Sequence, residues 1–324
     1  MPINTSNFVK NLIAPGFHGF VPSEQKLRES LAWTRIPQIP VDKPTGSIML
    51  EDRTSVQRTS DIQALVGKDG VPSDTEWKFT TDTFTTEEYG LRYVVTRKEK
   101  QNAAGIYDPM RRATSMLMLK VLRAVEAKFV TSAFATSIWT ATGSDTALTG
   151  DNQWNSTVGG NPKGVVQGAK TAISGILDFE PEYVAFSGKP VEHVLQYHAA
   201  FTDVVGILNG QRMEPAQRPA IAAGLGLSDY AVSRLVQVTT NEGASSATTS
   251  AVVGDGFLVL ALSEGNPLAD GGPSAMGVFV NEQLRTRAFP HPEAEGSTIV
   301  EAKCDLTFKV FDAKLGYFVA DPLA

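Results

Sequence analysis

The chain of 324 residues has a single cysteine, Cys304, so no disulfide can form within it, and a reducing compartment is expected. Histidine is scarce too, with only His18, His193, His198 and His291. One cysteine and no His-x-x-x-His pair exclude the usual zinc donor patterns, and no cofactor is expected. No apolar run approaches the ~20 residues that cross a bilayer. Met1-Pro2-Ile3-Asn4 has neither the basic nor the apolar region of a secretion signal, so the sequons at Asn4 and Asn155 are expected to stay unmodified. A phosphate-binding loop is missing as well. Gly164-Val165-Val166-Gln167-Gly168-Ala169-Lys170 has the wrong spacing and lies in helical sequence, and Gly224-Leu225-Gly226 reads as a helix stop. There is no Gly-x-Ser-x-Gly elbow. Glu87-Glu88 and Glu293 with Glu295 read as solvated charges rather than an acid/base pair. His193, His198 and Asp203 are the one cluster of titratable groups on helical sequence near which a small-molecule enzyme would need its pocket. Ordinary surface histidines are the plainer reading, since a five-residue spacing puts the two rings on different helix faces. No enzyme is expected.

Excess charge of one sign is also absent from the whole. Lys and Arg number 29 against 35 Asp and Glu, a net −6, which gives no global attraction to nucleic acid or an anionic membrane. The distribution is uneven. Residues 92–128 carry nine basic side chains (Arg92, Arg97, Lys98, Lys100, Arg111, Arg112, Lys120, Arg123, Lys128) against Glu99, Asp108 and Glu126, a local +6. A solvated helix face is the bland reading of such a run. The sharper one is a surface that meets an acidic neighbour or packaged nucleic acid.

What is present is organised along the chain. Residues 1–42 mix Gly, Pro and polar residues, with a short helical piece near Glu24 to Trp33, and read as an arm. Residues 43–100 are extended and mostly polar. A strand pattern over 47–66 leads to the turn-rich tip Gly67-Lys68-Asp69-Gly70-Val71-Pro72-Ser73-Asp74. Trp77, Phe79, Thr81 and Thr83 then alternate with Lys78, Thr80, Asp82 and Phe84, and Tyr89 to Arg97 is rich in β-branched and aromatic residues. Together these predict a long hairpin that has too little apolar surface to stand alone in water. Asp108-Pro109 then opens a helix, a capping residue followed by a proline whose missing donor costs nothing at the first turn. Ala113, Met116, Leu117, Val121, Ala124, Val125, Phe129 and Ala133 keep helical spacing, and no Gly or Pro interrupts up to Ser137, which predicts a helix over 108–137 of roughly 40 Å.

Behind it, residues 140–161 are loop. Helices are expected over 162–177, 190–205 and 215–223. Strands are expected over 182–187, 231–239, 256–262, 275–281, 284–289, 298–311 and 314–319, with 231–239, 256–262 and 275–281 in one sheet. Strands and helices mix without strict alternation, so the class is α+β. A polar arm beside a long rod implies a subunit completed by its neighbours.

This order of elements resembles the major capsid proteins of tailed bacteriophages, whose fold is shared with encapsulin shells. The stretches that carry the resemblance are Trp154-Asn155 before a helix, Pro181-Glu182-Tyr183-Val184-Ala185-Phe186-Ser187, and a helix with Val191, Leu195 and His198. Ile221-Ala222-Ala223-Gly224-Leu225-Gly226-Leu227, the strand Leu235-Val236-Gln237-Val238, Gly254-Asp255-Gly256-Phe257 and Pro273-Ser274-Ala275-Met276-Gly277 complete the set. The resemblance implies an N-terminal arm (1–42), an extended hairpin loop (43–100), a peripheral domain (101–180 and 286–324) with a spine helix over 108–137, and an axial domain (181–285). It implies a non-enzymatic homo-oligomer of hexamers and pentamers, an icosahedral virion shell assembled in the host cytoplasm. Double-stranded DNA would lie inside without sequence-specific contact. Scaffolding, portal and decoration proteins are possible partners, and no membrane is involved. Because the arm begins almost at once, scaffold is expected to be separate, already removed or unnecessary. Some relatives form a Lys–Asn crosslink; Lys68 lies near the loop tip, but no acidic catalyst or Asn partner is identifiable, and crosslinking is not inferred. Intersubunit contacts are expected at Lys68, Trp77, Phe79, Phe84, Arg92, Arg111 and Arg112. An encapsulin-like compartment is the alternative, and a small-molecule enzyme the more distant one.

Overall fold

Ala113, Leu117, Val121, Val125, Phe129 and Ala133 lie four residues apart, so a helix places them on one stripe. In the computed structural model that stripe is buried along a helix of 25 residues, Pro109–Ala133 (α2; α1 is the short Arg97–Asn102). The structure describes residues 31–51, 78–103, 107–144, 146–156, 160–202, 217–238, 249–263, 267–270 and 272–323. Residues 1–30 of the expected 1–42 arm, most of the 47–66 strand and the 67–74 tip lie outside them. Asp108 accepts hydrogen bonds from the backbone N–H groups of Met110 and Arg111, as its capping role requires. The helix ends four residues before the expected Ser137. The buried Trp139 indole N–H donates to the Ala133 carbonyl at 2.7 Å, satisfying one orphan acceptor of the last turn.

Two sheets share a core with α2. The first has the order β1-β11-β12-β4, from β1 (Gln38–Pro40), β11 (Met276–Pro290), β12 (Thr298–Val310) and β4 (Glu87–Val95). β1 runs parallel to β11, and the other pairs are antiparallel. Along β12 the even positions Val300, Ala302, Cys304, Leu306 and Phe308 are buried in the main core. Of the odd positions, Glu301, Lys303, Asp305 and Lys309 carry charge on the opposite face, as the two-residue period of a strand allows. The second sheet, β5-β13-β10-β6-β7, takes β5 (Thr146–Ala147), β6 (Glu182–Gly188), β7 (Asp229–Ser233), β10 (Phe257–Leu262) and β13 (Gly316–Ala320). All six residues of β10 are buried, which accounts for its unbroken apolar sequence. Around this sheet lie α3 (Pro162–Ser174), α4 (Lys189–Tyr197), α5 (Ala199–Thr202) and α6 (Arg218–Leu225). Outside both sheets are the pair β8 (Val236–Val238) and β9 (Thr249–Ala251), the short α7 (Pro267–Asp270), and the ribbon of β2 (Thr45–Glu51) and β3 (Phe79–Thr85). Phe129 of α2, fully buried, ties the layers together: its ring lies 5.6 Å from Phe186 of β6 and 5.6 Å from Phe308 of β12.

Several expectations are corrected. The segment expected as one hairpin is divided, because β4 gives its backbone to β12 over nine residue pairs and leaves only β2 and β3 as the ribbon. The strands expected at 275–281 and 284–289 are one 15-residue strand, carried through register shifts near Glu282. That strand belongs with β12 rather than with β10, so the sheet expected to unite 231–239, 256–262 and 275–281 does not form. β13, expected with residues 286–324 in the peripheral domain, pairs with β10 of the second sheet rather than with β12. The helix expected over 190–205 breaks at His198, whose Nδ1 accepts the Ala200 amide at 3.1 Å and starts a new turn. The expected helix end at Gly224 moves to Gly226, which takes the left-handed conformation (φ 67°) that suits a residue without Cβ.

Candidate functional site

Parity decides which face of the ribbon is which. Opposed residues in an antiparallel pair share a face, and the register pairs Gly46 with Phe84, Ile48 with Asp82, Met49 with Thr81 and Glu51 with Phe79. The even face turns inward. The Phe84 ring stacks on Phe279 of β11 with centroids 4.3 Å apart and planes within 4°, beside Ile39 and Ile48. Gly46 is required there, because a Cβ would meet the Phe84 ring at 2.8 Å. Lys309 of β12 pins the root further, pairing with Asp82 at 2.7 Å and donating to the Thr83 carbonyl. On the odd face Met49 is 73% exposed and Phe79 52% exposed. The ribbon is thus fixed at its root and presents a diagonal apolar pair outward, surface that no described part of its own chain covers.

A second exposed surface lies on β4, the edge of its sheet. Leu91, Tyr93 and Val94 are exposed there, with Met116 on α2. An apolar edge strand with unpaired backbone groups is a template for association. The basic run frames it, although much of that run is engaged within the chain. Arg92 pairs with Glu301 at 2.7 Å, and Arg287 grips the same carboxylate from the other side at 2.7 Å. Burial would push the Glu301 carboxyl up, but the two guanidiniums prevail and hold it below its ordinary range. Lys128 pairs with Glu87, and Lys100 donates to the Gly296 carbonyl and the Thr298 hydroxyl. Arg111 lies 3.7 Å from Asp108, and the Arg112 guanidinium sits 5.5 Å from the centre of the Tyr107 ring.

The predicted contact residues therefore separate. Phe79 and the arginines are on the surface. Phe84 is buried in its own chain and unavailable to a neighbour, which corrects the expectation of an intersubunit role. Lys68 and Trp77 lie outside the described residues. The histidine cluster does not converge on a site: the His193 ring packs near Tyr197 and the His198 Nδ1 is taken by a backbone amide, while Asp203 is outside the described residues. Among the described residues no group of three or more His, Cys, Asp or Glu could hold a metal ion, and no helix is long and apolar enough to cross a membrane.

Sequence reasoning missed the buried acids, Glu192 and Glu126 among them. Glu192 of α4 is held by Arg218 at 2.7 Å and Arg234 at 2.6 Å; burial raises its carboxyl, but the arginines outweigh it and the net shift is downward. Glu126 of α2 is fully buried with no cation paired to it among the described residues. Its position between the stripe residues Val125 and Phe129 was the available signal.

The comparisons with known proteins agree with this architecture. A phage-related protein from Bordetella bronchiseptica RB50 superposes with a TM-score of 0.65 at 17% identity, over 91% of this chain and 92% of that one. The mature capsid of bacteriophage PhiM1 superposes at 0.53 and 12% identity, over 95% of this chain and 89% of that one. The chain has the phage capsid fold. In sequence, the major capsid protein of Pseudomonas phage JBD67 is 29% identical over 120 residues, 37% of this chain and 38% of that protein, so the match spans well under half of the relative's length. No protein-family model matches. The α+β class and the capsid fold expected from the sequence stand.

Proposed function

We propose that this chain is a major capsid protein that assembles with copies of itself into a closed shell, and that the β2–β3 ribbon is its clasp on a neighbouring subunit. The observation that carries the reading is the ribbon itself, anchored at its root by Phe84, Ile48 and the Lys309 contact with Asp82 while Met49 and Phe79 face outward. Exposed apolar surface of this kind is covered by a partner in an assembly. Residues 60–82 of the sequence hold five acidic against two basic side chains, opposite in sign to the 92–128 run on the next copy. In this reading α2 and the four-stranded sheet form the peripheral domain, and the five-stranded sheet with its helices forms the axial domain. The chain would then be a virion component, built from hexamers and pentamers around double-stranded DNA, with scaffolding, portal and decoration proteins as its partners.

The double substitution Met49→Asp with Phe79→Asp tests the clasp. Both side chains are exposed, so the variant should remain folded and soluble while electron micrographs show no particles. Shells of normal size and yield from that variant would overturn the assignment. Particle contents separate the phage reading from an encapsulin-like compartment: DNA supports the first, a packaged enzyme the second.

A further inference from the structure

The first described residues of the chain form a strap across α2. Leu31, Ala32 and Ile36 are buried, with Leu31 packed in a small cluster with Leu119, Leu122, Leu235 and Val252. Beneath the strap sits Glu126, fully buried on α2. The Ala32 backbone N–H donates to its Oε1 at 3.1 Å, and the Trp33 amide faces the same carboxyl. Oε2 has no hydrogen-bond partner, and the buried Ser233 hydroxyl, at the end of β7 within reach of the carboxyl, has none of good geometry either. The charged groups on the surrounding elements do not balance it. Arg35 of the strap pairs with Asp229 at 2.9 Å, and Arg234 after β7 pairs with Glu192. Arg123, one turn earlier on α2, has a buried Nε without a hydrogen-bond partner and makes no ion pair with Glu126 among the described residues. The carboxyl therefore joins three elements — strap, helix and β7 — through backbone and hydroxyl groups.

We propose that Glu126 is a proton-operated latch: neutral, it holds residues 31–36 against α2, and ionised, it favours their release so that water can reach the charge. The inference rests on the geometry of the single chain and not on the shell reading. A neutral carboxyl can accept the Ala32 amide and donate its own O–H to Ser233, using both otherwise idle oxygens. An ionised one leaves a bare charge in an apolar cluster, which is the costly arrangement. Burial accordingly pushes this carboxyl up to about 7, against the weaker pull of Ser233 and the two amides. Opening the strap hydrates the group and returns it toward its ordinary value of 4.5. The sign follows from linkage. The closed state binds the extra proton, so strap opening should increase as pH rises between these values and level off above the higher one.

Amide hydrogen exchange of residues 31–36 in the full chain, corrected for intrinsic chemical exchange, tests this. The equilibrium for opening should rise on the order of tens of fold from about pH 5 to about pH 7 and flatten by about pH 8. In Glu126→Gln, which keeps an acceptor for Ala32 and a donor for Ser233 but cannot ionise, the same segment should show no such rise. An equal rise in wild type and Glu126→Gln would overturn the latch. Should that variant fail to fold, Ser233→Ala carries the test. The Ser233 hydroxyl is the group that meets the carboxyl in either protonation state, so losing it should displace the pH at which the strap opens, and an unmoved transition would overturn the proposal.

Discussion

Glu126 and Glu192 show how differently one residue type behaves in two buried settings. Both are almost without exposure, yet their carboxyls shift in opposite directions. Glu192 has two guanidiniums at hydrogen-bond distance, and Glu126 has only neutral donors. Breaking the first arrangement leaves Arg218 and Arg234 without their shared anion. Such losses cost 3–5 kcal/mol when both sides are dry. Because Arg234 is partly open to solvent, Glu192→Ala should cost about 3 kcal/mol in chemical denaturation, near the lower end. The pH dependence has a definite sign. The folded carboxyl lies below its ordinary 4.5, so its contribution is present above that value and is lost as pH falls through the folded value. Wild type should therefore lose stability below about pH 4.5 more steeply than Glu192→Ala, read from urea midpoints. Gly316 is a second single-residue test. A Cβ there would run into the buried Trp139 ring, so Gly316→Ala should cost about 1–3 kcal/mol by the same measurement. Phe84 shows what was legible at this scale. Its position is even and that of Phe79 is odd, and strand parity alone separates the inward ring from the outward one; grouping both as contact residues passed over that parity.

At the scale of elements, local chemistry announced starts better than stops. Asp108-Pro109 and Asn161-Pro162 open α2 and α3 where capping predicts, because a cap and a proline act within one turn. The end of α2 could not be read in this way. Residues 134–137 contain nothing that breaks a helix, and the stop comes from Trp139 folding back onto Ala133, a contact set by the packing of that indole against β13 and the core. Trp139→Phe keeps the ring and removes the N–H. It should cost about 1 kcal/mol and raise exchange of the last-turn amides of α2 while the fold persists; an unchanged midpoint would mean the indole bond contributes nothing. Strand pairing was the other blind spot. β4 and β3 look alike in sequence, both β-branched, aromatic and polar, and what separates them is a partner more than 200 residues away in β12. Alternation reports that a strand has two faces; it does not report which distant strand takes its edge.

For the whole molecule, the order of elements was legible and the electrostatics only in part. The +6 of residues 92–128 looked like a free basic surface, yet the chain already answers much of it: Arg92 by Glu301, Arg111 by Asp108 and Lys128 by Glu87. Asp108 is already counted in that sum, but Glu87 lies just before the run and Glu301 far along the chain, so the window of residues 92–128 does not reveal their neutralisation. Arg97, Lys98 and Lys120 engage no carboxylate among the described residues, and they are the charges left for a neighbour. If acidic ribbons of adjacent copies meet them in the shell, the attraction is between exposed groups and is screened beyond about 10 Å at 0.1 M salt. Assembly followed by light scattering should therefore slow as salt rises from about 0.05 M to about 0.5 M. Because three of the nine cations are already paired to carboxylates at home, the dependence should be shallower than the full run implies. Lys98→Glu with Lys120→Glu should slow assembly at low salt and flatten that dependence while leaving the denaturation midpoint of the single chain in place, since neither side chain supports the fold. Identical salt dependence in the double variant and the wild type would locate the attraction elsewhere, on the apolar pair Met49 and Phe79 and the exposed edge of β4, where hydrophobic burial, strengthened rather than weakened by sulfate, would drive the shell to close.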